Sequence, residues 1–284
     1  MEAPIDRRTV PGLPDPDRCL VMGVVNVTPD SFSDGGQWFD PGDAVRHGLE
    51  LLAEGADLLD VGGESTRPGA GRIPVREELR RVLPVVTELS AAGAVVSVDT
   101  MRAAVAEQAL AAGASMVNDV SGGRVDEAMF GLVARAGTPF VLMHWRRQSV
   151  DMQTAATYDD VVSEVVSELS VQLARAQQAG IQPERIVVDP GLGFSKTAEH
   201  NWALLARLDA VRALGHPVLV AASRKRFLGE LLAVGGTLRP ASERGEATVA
   251  VSTLAAAGGA WAVRVHEVAG SADAVRVEQR WRRG

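Results

Sequence analysis

The chain of 284 residues has 46% hydrophobic residues, 23% charged residues, a formal net charge of −7 and a single cysteine, Cys19. The negative charge argues against a nucleic-acid partner, since proteins that bind the phosphate backbone carry basic patches. One cysteine excludes an internal disulfide and a cysteine cluster for zinc. The sequence has no run of 18 apolar residues and no apolar signal core, so we expect a cytoplasmic protein without membrane contact.

Eight short apolar runs recur along the chain, and longer amphipathic stretches separate them. Most of these runs are rich in β-branched residues and do not alternate with polar residues, which is typical of parallel strands covered on both faces. The predicted strands, in chain order, are 19–27, 56–61, 94–98, 115–119, 140–144, 185–189, 217–223 and 261–266.

Helical stretches such as 43–56, 101–114 and 158–180 lie between these runs, and several end at glycine, a common C-terminal stop signal. Eight strands alternating with helices predict an α/β protein, a (β/α)8 or TIM barrel. The rival is a doubly wound open sheet, which usually carries a GxGxxG turn that this sequence lacks. No Pro/Ser-rich linker divides the chain. We therefore predict a flexible N-terminal segment, 1–17, and a single barrel domain, 18–284.

Polar residues follow nearly every predicted strand. In barrels of this kind the chemistry gathers at the C-terminal strand ends, where a purely structural barrel would need only helix caps. These strand-end residues are Asn26, Glu64 to Arg67, Asp99, Asn118, Asp119, His144, Asp189, Ser223, Lys225, Arg264 and His266. This ring is the strongest functional signal in the sequence.

Each of these residues also has a structural explanation. Asp99 can cap the following helix, Asp189 before Pro190 can form a turn, and His144 can be a packed strand-end histidine. The sequence contains no HExxH, GxSxG or Walker-type motif, so metalloprotease, serine hydrolase and P-loop functions have no support.

The stretch "IVVDPGLGFSK" at 186–196 poses a specific question. Gly-rich turns after a strand often bind phosphate, and a nearby lysine suits that function. This turn, however, begins with the carboxylate of Asp189, which repels an anion. Either Asp189 only forms the turn, or the loop binds a ligand group that is not an anion.

A resemblance to a known family rests on motifs in the same order along the chain. They are "MGVVNVTPDSFSDGG" (22–36), "DVGGESTRPGA" (60–70), "SVDTM" (97–101), "VNDVSGG" (117–123), "LMHW" (142–145), "DPGLGF" (189–194), "ASRKRFLG" (222–229) and "RVHEV" (264–268). From about residue 19 to 282 the chain resembles the dihydropteroate synthases. The resemblance implies an enzyme of folate synthesis that joins a pterin methyl diphosphate to 4-aminobenzoate and releases diphosphate. The family often has glycine at the position of Ser195, and we expect little effect from this departure.

A pterin ring is a ligand group that the loop at 186–196 can bind although Asp189 repels anions. Its 2-amino group and ring N–H stand side by side, and a carboxylate accepts both in a bidentate pair. We therefore expect Asp189 to bind the ring and the glycines to let the loop approach it closely. The resemblance implies that the pterin diphosphate contacts Thr66, Asp99, Asn118, Met143, Asp189, Lys225, Arg264 and His266, with Asp99, Lys225, Arg264 and His266 as catalytic residues.

The diphosphate needs a separate site. Arg264 and His266 are two residues apart, so on a strand they project to the same side, and together with Asn26 they can flank the anion. The resemblance implies that Asn26 binds Mg²⁺, a hard ion often shared with substrate phosphates. It also places the aminobenzoate against Thr66, Arg67, Pro68, Phe194 and Ser223, with Arg67 as a further candidate for the diphosphate.

We expect a dissociative substitution at the pterin CH2, since an aromatic amine is uncharged at neutral pH and needs no strong base. Two alternatives remain open: a methyltetrahydrofolate-dependent methyltransferase on a similar barrel, and a non-catalytic pterin-binding paralogue. The resemblance also implies a homodimer. The small residues of 246–262 are compatible with close helix packing, but ordinary packing against the barrel explains them equally well.

Overall fold

The computed structural model describes residues 9–28, 41–65, 71–146 and 156–284. Its eight strands are β1 Leu20–Asn26, β2 Leu58–Gly62, β3 Val96–Asp99, β4 Met116–Asp119, β5 Phe140–Met143, β6 Ile186–Asp189, β7 Leu219–Val220 and β8 Ala262–Val265. The α-helices within these ranges are α1 Pro41–Ala53, α2 Val75–Ala91, α3 Ala103–Ala111, α4 Ala128–Ala136, α5 Val161–Gln178, α6 Ala198–Ala206, α7 Leu208–Arg212, α8 Arg226–Leu231, α9 Gly245–Ala257 and α10 Ala269–Arg282. Strands and helices alternate as predicted.

The strands form one parallel sheet in the order β6-β5-β4-β3-β2-β1-β8-β7. A parallel bridge between Val188 and Val218 joins the two ends of this order, and the Val188 amide donates to the Pro217 carbonyl at 2.9 Å. These contacts close the sheet, so the prediction of a single (β/α)8 barrel is confirmed.

The strand predictions agree with the structure to within two residues, except at β7. The sequence predicts a strand over 217–223, whereas β7 has two residues. Pro217 has no amide hydrogen to give to the ladder, and the chain beyond the strand turns so that the Ser223 hydroxyl bonds to the backbone of His266. The apolar run is therefore longer than the strand that it contains.

The side chains of each strand alternate between two cores, because successive residues point to opposite faces. Outward residues pack beneath the helices and include Val21, Val61, Val98, Val117, Leu142, Val188 and Val263. Inward residues fill the lower barrel and include Leu20, Met22, Leu58, Met116, Val141, Val187, Leu219 and Ala262. Val10 is buried in this second core. The domain boundary after residue 17 stays a prediction.

The inward positions change from apolar to polar toward the C-terminal strand ends. Two residues beyond Leu58, Ser97, Met116, Val187 and Ala262, the same faces carry Asp60, Asp99, Asn118, Asp189 and Arg264. The strand register sets Asp60 beside Ser97 and Asp99 beside Asn118. Because every second side chain of a strand faces the interior, charged and amide side chains from distant parts of the chain lie in one layer at the barrel mouth.

Local signals explain where individual helices begin. Asp160 accepts hydrogen bonds from the amides of Val162 and Ser163 at the start of α5, and Thr197 and His200 form a capping box at the start of α6. Such caps satisfy amides that have no partner within the helix. In the ranges that the structure describes, no helix is both long and apolar enough to cross a bilayer.

Candidate active site

The centre of the polar layer is the guanidinium of Arg264. Its Nε donates to Asp60 Oδ2 at 2.6 Å and its Nη2 donates to Asp99 Oδ2 at 2.8 Å. Asn118 also donates to Asp60 Oδ2, at 2.9 Å. Asp60 is fully buried, and its second oxygen, Oδ1, is buried without a hydrogen-bond partner. One arginine is therefore held between two carboxylates from neighbouring strands.

Asp60 is a member of this cluster that the sequence analysis did not assign. It opens the motif "DVGGE", but it lies two residues before the end of β2, and only strand-end residues were considered. The alternation of side chains along a strand could have identified it: Asp60 lies two residues after Leu58, so both side chains face the barrel interior.

Burial raises the pKa of Asp99 to about 7, against the opposing effect of Arg264. A carboxyl group removed from water favours its neutral form. Two effects oppose each other at Asp99: burial favours the neutral carboxyl group, and the guanidinium of Arg264 favours the charged one.

The loop after β6 begins with Asp189, which has two functions to perform. Its Oδ1 accepts the Gly191 amide at 2.7 Å, so the carboxylate does shape the turn. Burial raises the pKa of Asp189, while Lys225 and Arg264 both act to lower it. The turn-forming interpretation is therefore correct for one oxygen, and the other oxygen has no partner among the described residues.

Glycine is required at position 191. The residue has a φ of +67°, and a Cβ there would lie 2.2 Å from the carbonyl oxygen of His144. Backbone from β5 and β6 therefore meets at a distance that no side chain permits. This contact fixes where the loop crosses the barrel mouth.

Lys225 projects into the same loop. Its ammonium donates to the Leu192 carbonyl and lies 5.0 Å from the centroid of the Phe194 ring. Burial lowers the pKa of Lys225 to about 8, against the opposing effect of Asp189. The structure thus brings together Asp189, Phe194 and Lys225, three of the predicted site residues.

A buried chain of polar groups supports this loop from below. Lys196 Nζ lies 2.9 Å from His144 Nδ1 and donates to the Phe194 carbonyl at 3.1 Å, and His144 Nε2 lies 3.0 Å from a carboxylate oxygen of Glu168. Burial lowers the pKa of His144 to about 4 and that of Lys196 to about 7. His144 is a packed, neutral histidine. Lys196 is the lysine that suggested a phosphate-binding turn, and here it contacts His144 and the Phe194 carbonyl instead. The sequence did not indicate a role for Glu168, since nothing in its local sequence shows this partnership.

The remaining predicted residues are divided between described and undescribed parts of the chain. Ser223 Oγ lies 3.0 Å from His266 Nδ1, Asn26 is half-buried at the end of β1, and Met143 is buried and in register with Asp189. The predicted residues that lie outside the described ranges are Thr66, Arg67 and Pro68.

The chain matches the family model described as "Pterin binding enzyme" over residues 22–266. It therefore belongs to the family of pterin binding enzymes. The dihydropteroate synthase of Mycobacterium leprae is 56% identical over 92% of this chain and 93% of that protein. Two solved structures of the Xanthomonas albilineans dihydropteroate synthase are also similar, each covering 94% of both chains. The one with 4-aminobenzoic acid has a TM-score of 0.87 at 47% identity, and the one with 7,8-dihydropteroate has 0.84 at 45%.

Ser195 provides a test of the loop geometry. It has a φ of +50°, it is buried, and its Oγ is buried without a hydrogen-bond partner. The left-handed conformation costs a non-glycine residue about 1–3 kcal/mol, and the higher entropy of glycine in the unfolded chain offsets up to about 1 kcal/mol. We expect Ser195→Gly to raise the free energy of unfolding by about 1 kcal/mol in urea titrations. Ser195→Ala, which keeps the Cβ, is the matched control. A glycine variant less stable than the alanine variant would contradict the assigned backbone conformation.

Proposed function

We propose that the protein has dihydropteroate synthase activity: it joins (7,8-dihydropterin-6-yl)methyl diphosphate to 4-aminobenzoate and releases diphosphate. The observation that carries this proposal is the polar layer at the barrel mouth, in which Asp99, Asn118 and Asp189 stand around Arg264. Relatives of that name support it: the Mycobacterium leprae protein is matched over 93% of its length, and the Xanthomonas albilineans protein solved with 7,8-dihydropteroate is matched over 94%.

The polar layer matches the hydrogen-bonding pattern of a pterin ring. Asp189 Oδ1 accepts the Gly191 amide with one lone pair and keeps another, and Oδ2 has no partner among the described residues, so the two oxygens together can accept from the 2-amino group and the ring N–H in a charge-assisted, bidentate pair. Asn118 gives one of its two amide hydrogens to Asp60, so its other N–H and its carbonyl oxygen remain to bond to the ring. Met143, buried beside Asp189, packs on the ring face.

The diphosphate lies against Arg264, His266 and Asn26. Arg264 uses Nε and one N–H of Nη2 for its carboxylate partners, so Nη1 carries its contact with the anion. In the described ranges, no group of three His, Cys, Asp or Glu side chains could hold a metal. The amide oxygen of Asn26 nevertheless fits Mg²⁺, because this ion is usually bound by one or two protein oxygens with substrate phosphates and water. Bound there, Mg²⁺ would stabilise the negative charge that develops on the leaving diphosphate.

The reaction requires positioning more than it requires a base. The bond between the pterin CH2 and the diphosphate oxygen breaks, its electron pair leaves with the diphosphate, and the ring delocalises the resulting positive charge. The neutral amine of 4-aminobenzoate then attacks the CH2 and loses a proton. Lys225 lies between Asp189 and Phe194, where it contacts both the pterin and the aminobenzoate. Phe194 and Ser223 line the aminobenzoate side, and Thr66, Arg67 and Pro68 are proposed to complete it.

A homodimer is part of the proposal. Leu254 on α9 and Val277 and Trp281 on α10 are 72%, 62% and 86% exposed. Large apolar side chains grouped on a surface often mark an association site, and a second copy would cover them. The cytoplasmic location and the absence of nucleic-acid and membrane partners stay predictions.

The activity is tested by incubating the purified protein with the pterin diphosphate, 4-aminobenzoate and Mg²⁺. We expect dihydropteroate and diphosphate in equal amounts. Asp189→Asn should weaken pterin binding at least about tenfold, since one acceptor becomes a donor and leaves a ligand N–H unpaired. Asp209→Asn, at an exposed position on α7, is the control and should bind normally. Failure to form product, or unchanged pterin affinity of Asp189→Asn in calorimetry, would refute the assignment.

The metal site is tested separately through Asn26→Ala. We expect this variant to need a higher Mg²⁺ concentration for half-maximal activity and to bind Mg²⁺–pyrophosphate more weakly. Its affinity for a pterin without phosphates should match that of the unmodified protein, because the ring site does not include Asn26. Equal losses for both ligands would show that the diphosphate has been placed wrongly.

A further inference from the structure

The loops after β7 and β8 meet through one hydroxyl group. Ser223 Oγ lies 3.2 Å from the backbone nitrogen of His266 and 3.0 Å from its ring Nδ1. Ser223 is 6% exposed, and these are the partners of its Oγ among the described residues. The pair lies where the proposed diphosphate and aminobenzoate sites adjoin.

The chemistry of these groups fixes the direction of both hydrogen bonds. A backbone N–H can only donate, so Ser223 Oγ accepts from His266 N. The hydroxyl has a single hydrogen of its own, and Nδ1 is the acceptor that the structure offers it. If Nδ1 carried the ring proton instead, two donors would face the oxygen and the buried hydroxyl hydrogen would lack an acceptor, at a cost of about 1–3 kcal/mol.

We propose that Ser223 is a positioning residue that holds neutral His266 in the tautomer with its proton on Nε2. Because Nε2 lies across the ring from Nδ1, the N–H then faces away from Ser223. On the proposed function, this N–H donates to the diphosphate. His266 can therefore bind the anion without being positively charged, and Ser223 acts on the diphosphate through the histidine in addition to its proposed place beside the aminobenzoate.

Three other histidines supply an internal calibration, since their partners determine the tautomer independently. His216 Nδ1 faces the carbonyl of Ile186, which can only accept, so its proton lies on Nδ1. His200 Nδ1 accepts from the amide of Thr197, and His144 Nε2 faces a carboxylate of Glu168, so both carry the proton on Nε2. The chain thus contains references for both tautomers.

The direct test is a long-range ¹H–¹⁵N spectrum of the histidine rings in the full chain, recorded at a pH where the rings are neutral. His266→Gln assigns the resonances of residue 266. We expect His266 to show the pattern of His144 and His200, and the pattern of His216 would overturn the proposal. In Ser223→Ala we expect His266 to populate both tautomers. A single, unchanged Nε2–H form in that variant would show that Ser223 does not hold the ring.

Calorimetry with Mg²⁺–pyrophosphate, without aminobenzoate, measures the consequence for anion binding. We expect Ser223→Ala to weaken binding about twofold, since two equally populated tautomers halve the fraction of His266 that can donate from Nε2. Ser223→Thr keeps the hydroxyl and should restore affinity, and Ser170→Ala, at an exposed position on α5, is the control. Equal affinity of Ser223→Ala and the unmodified protein would overturn the proposal. If the tautomer is as expected but no dihydropteroate forms in the assay above, the proposed function fails and the tautomer assignment stands.

Discussion

One guanidinium held between two buried carboxylates organises the barrel mouth. Removing charges from water costs several kcal/mol per ion, and the pairing of Arg264 with Asp60 and Asp99 recovers this cost only if the geometry is good. Loss of one partner from such a cluster typically costs about 3–5 kcal/mol, because the remaining charge stays buried. The cluster fixes the orientation of Asn118 through Asp60, and within it burial and Asp60 raise the pKa of Asp99 while Arg264 lowers that pKa. The cluster therefore contributes mainly by holding these side chains in fixed positions.

In the loops around this cluster, single side chains also have more than one partner. Asp189 closes its own turn with one oxygen while the other has no partner among the described residues, and Ser223 Oγ accepts from the backbone of His266 and lies 3.0 Å from its ring Nδ1. The ammonium of Lys225 holds the Leu192 carbonyl beside Phe194. Because these residues contact one another and share partners, we expect the effects of substitutions in this region to be non-additive.

Much of this architecture could be predicted from the sequence, for identifiable reasons. The alternation of apolar runs and amphipathic stretches predicts every strand except β7 to within two residues. Because parallel strands of a barrel end at one face, the strand-end residues Asp99, Asn118, Asp189 and Arg264 are expected to meet. The ion pair between Asp60 and Arg264 could not be predicted, since the two residues are 204 positions apart and Asp60 does not end its strand. The support of the loop after β6 by Lys196, His144 and Glu168 could not be predicted either, because nothing in their local sequence shows that these side chains meet. The backbone of Ser195 is left-handed, which explains why the resemblance implies glycine at this position.

The central claim, that Arg264 and Asp60 act as one unit in holding the proposed ring site, is tested most directly by a double-mutant cycle. The measurement is the calorimetric affinity for a pterin without phosphates in four proteins: unmodified, Asp60→Asn, Arg264→Met and the double variant. Because each single variant breaks the same cluster, the double variant should bind about as well as the weaker single variant, with a coupling energy of at least about 1 kcal/mol. Losses that simply add would show that the two residues act independently and would contradict the account.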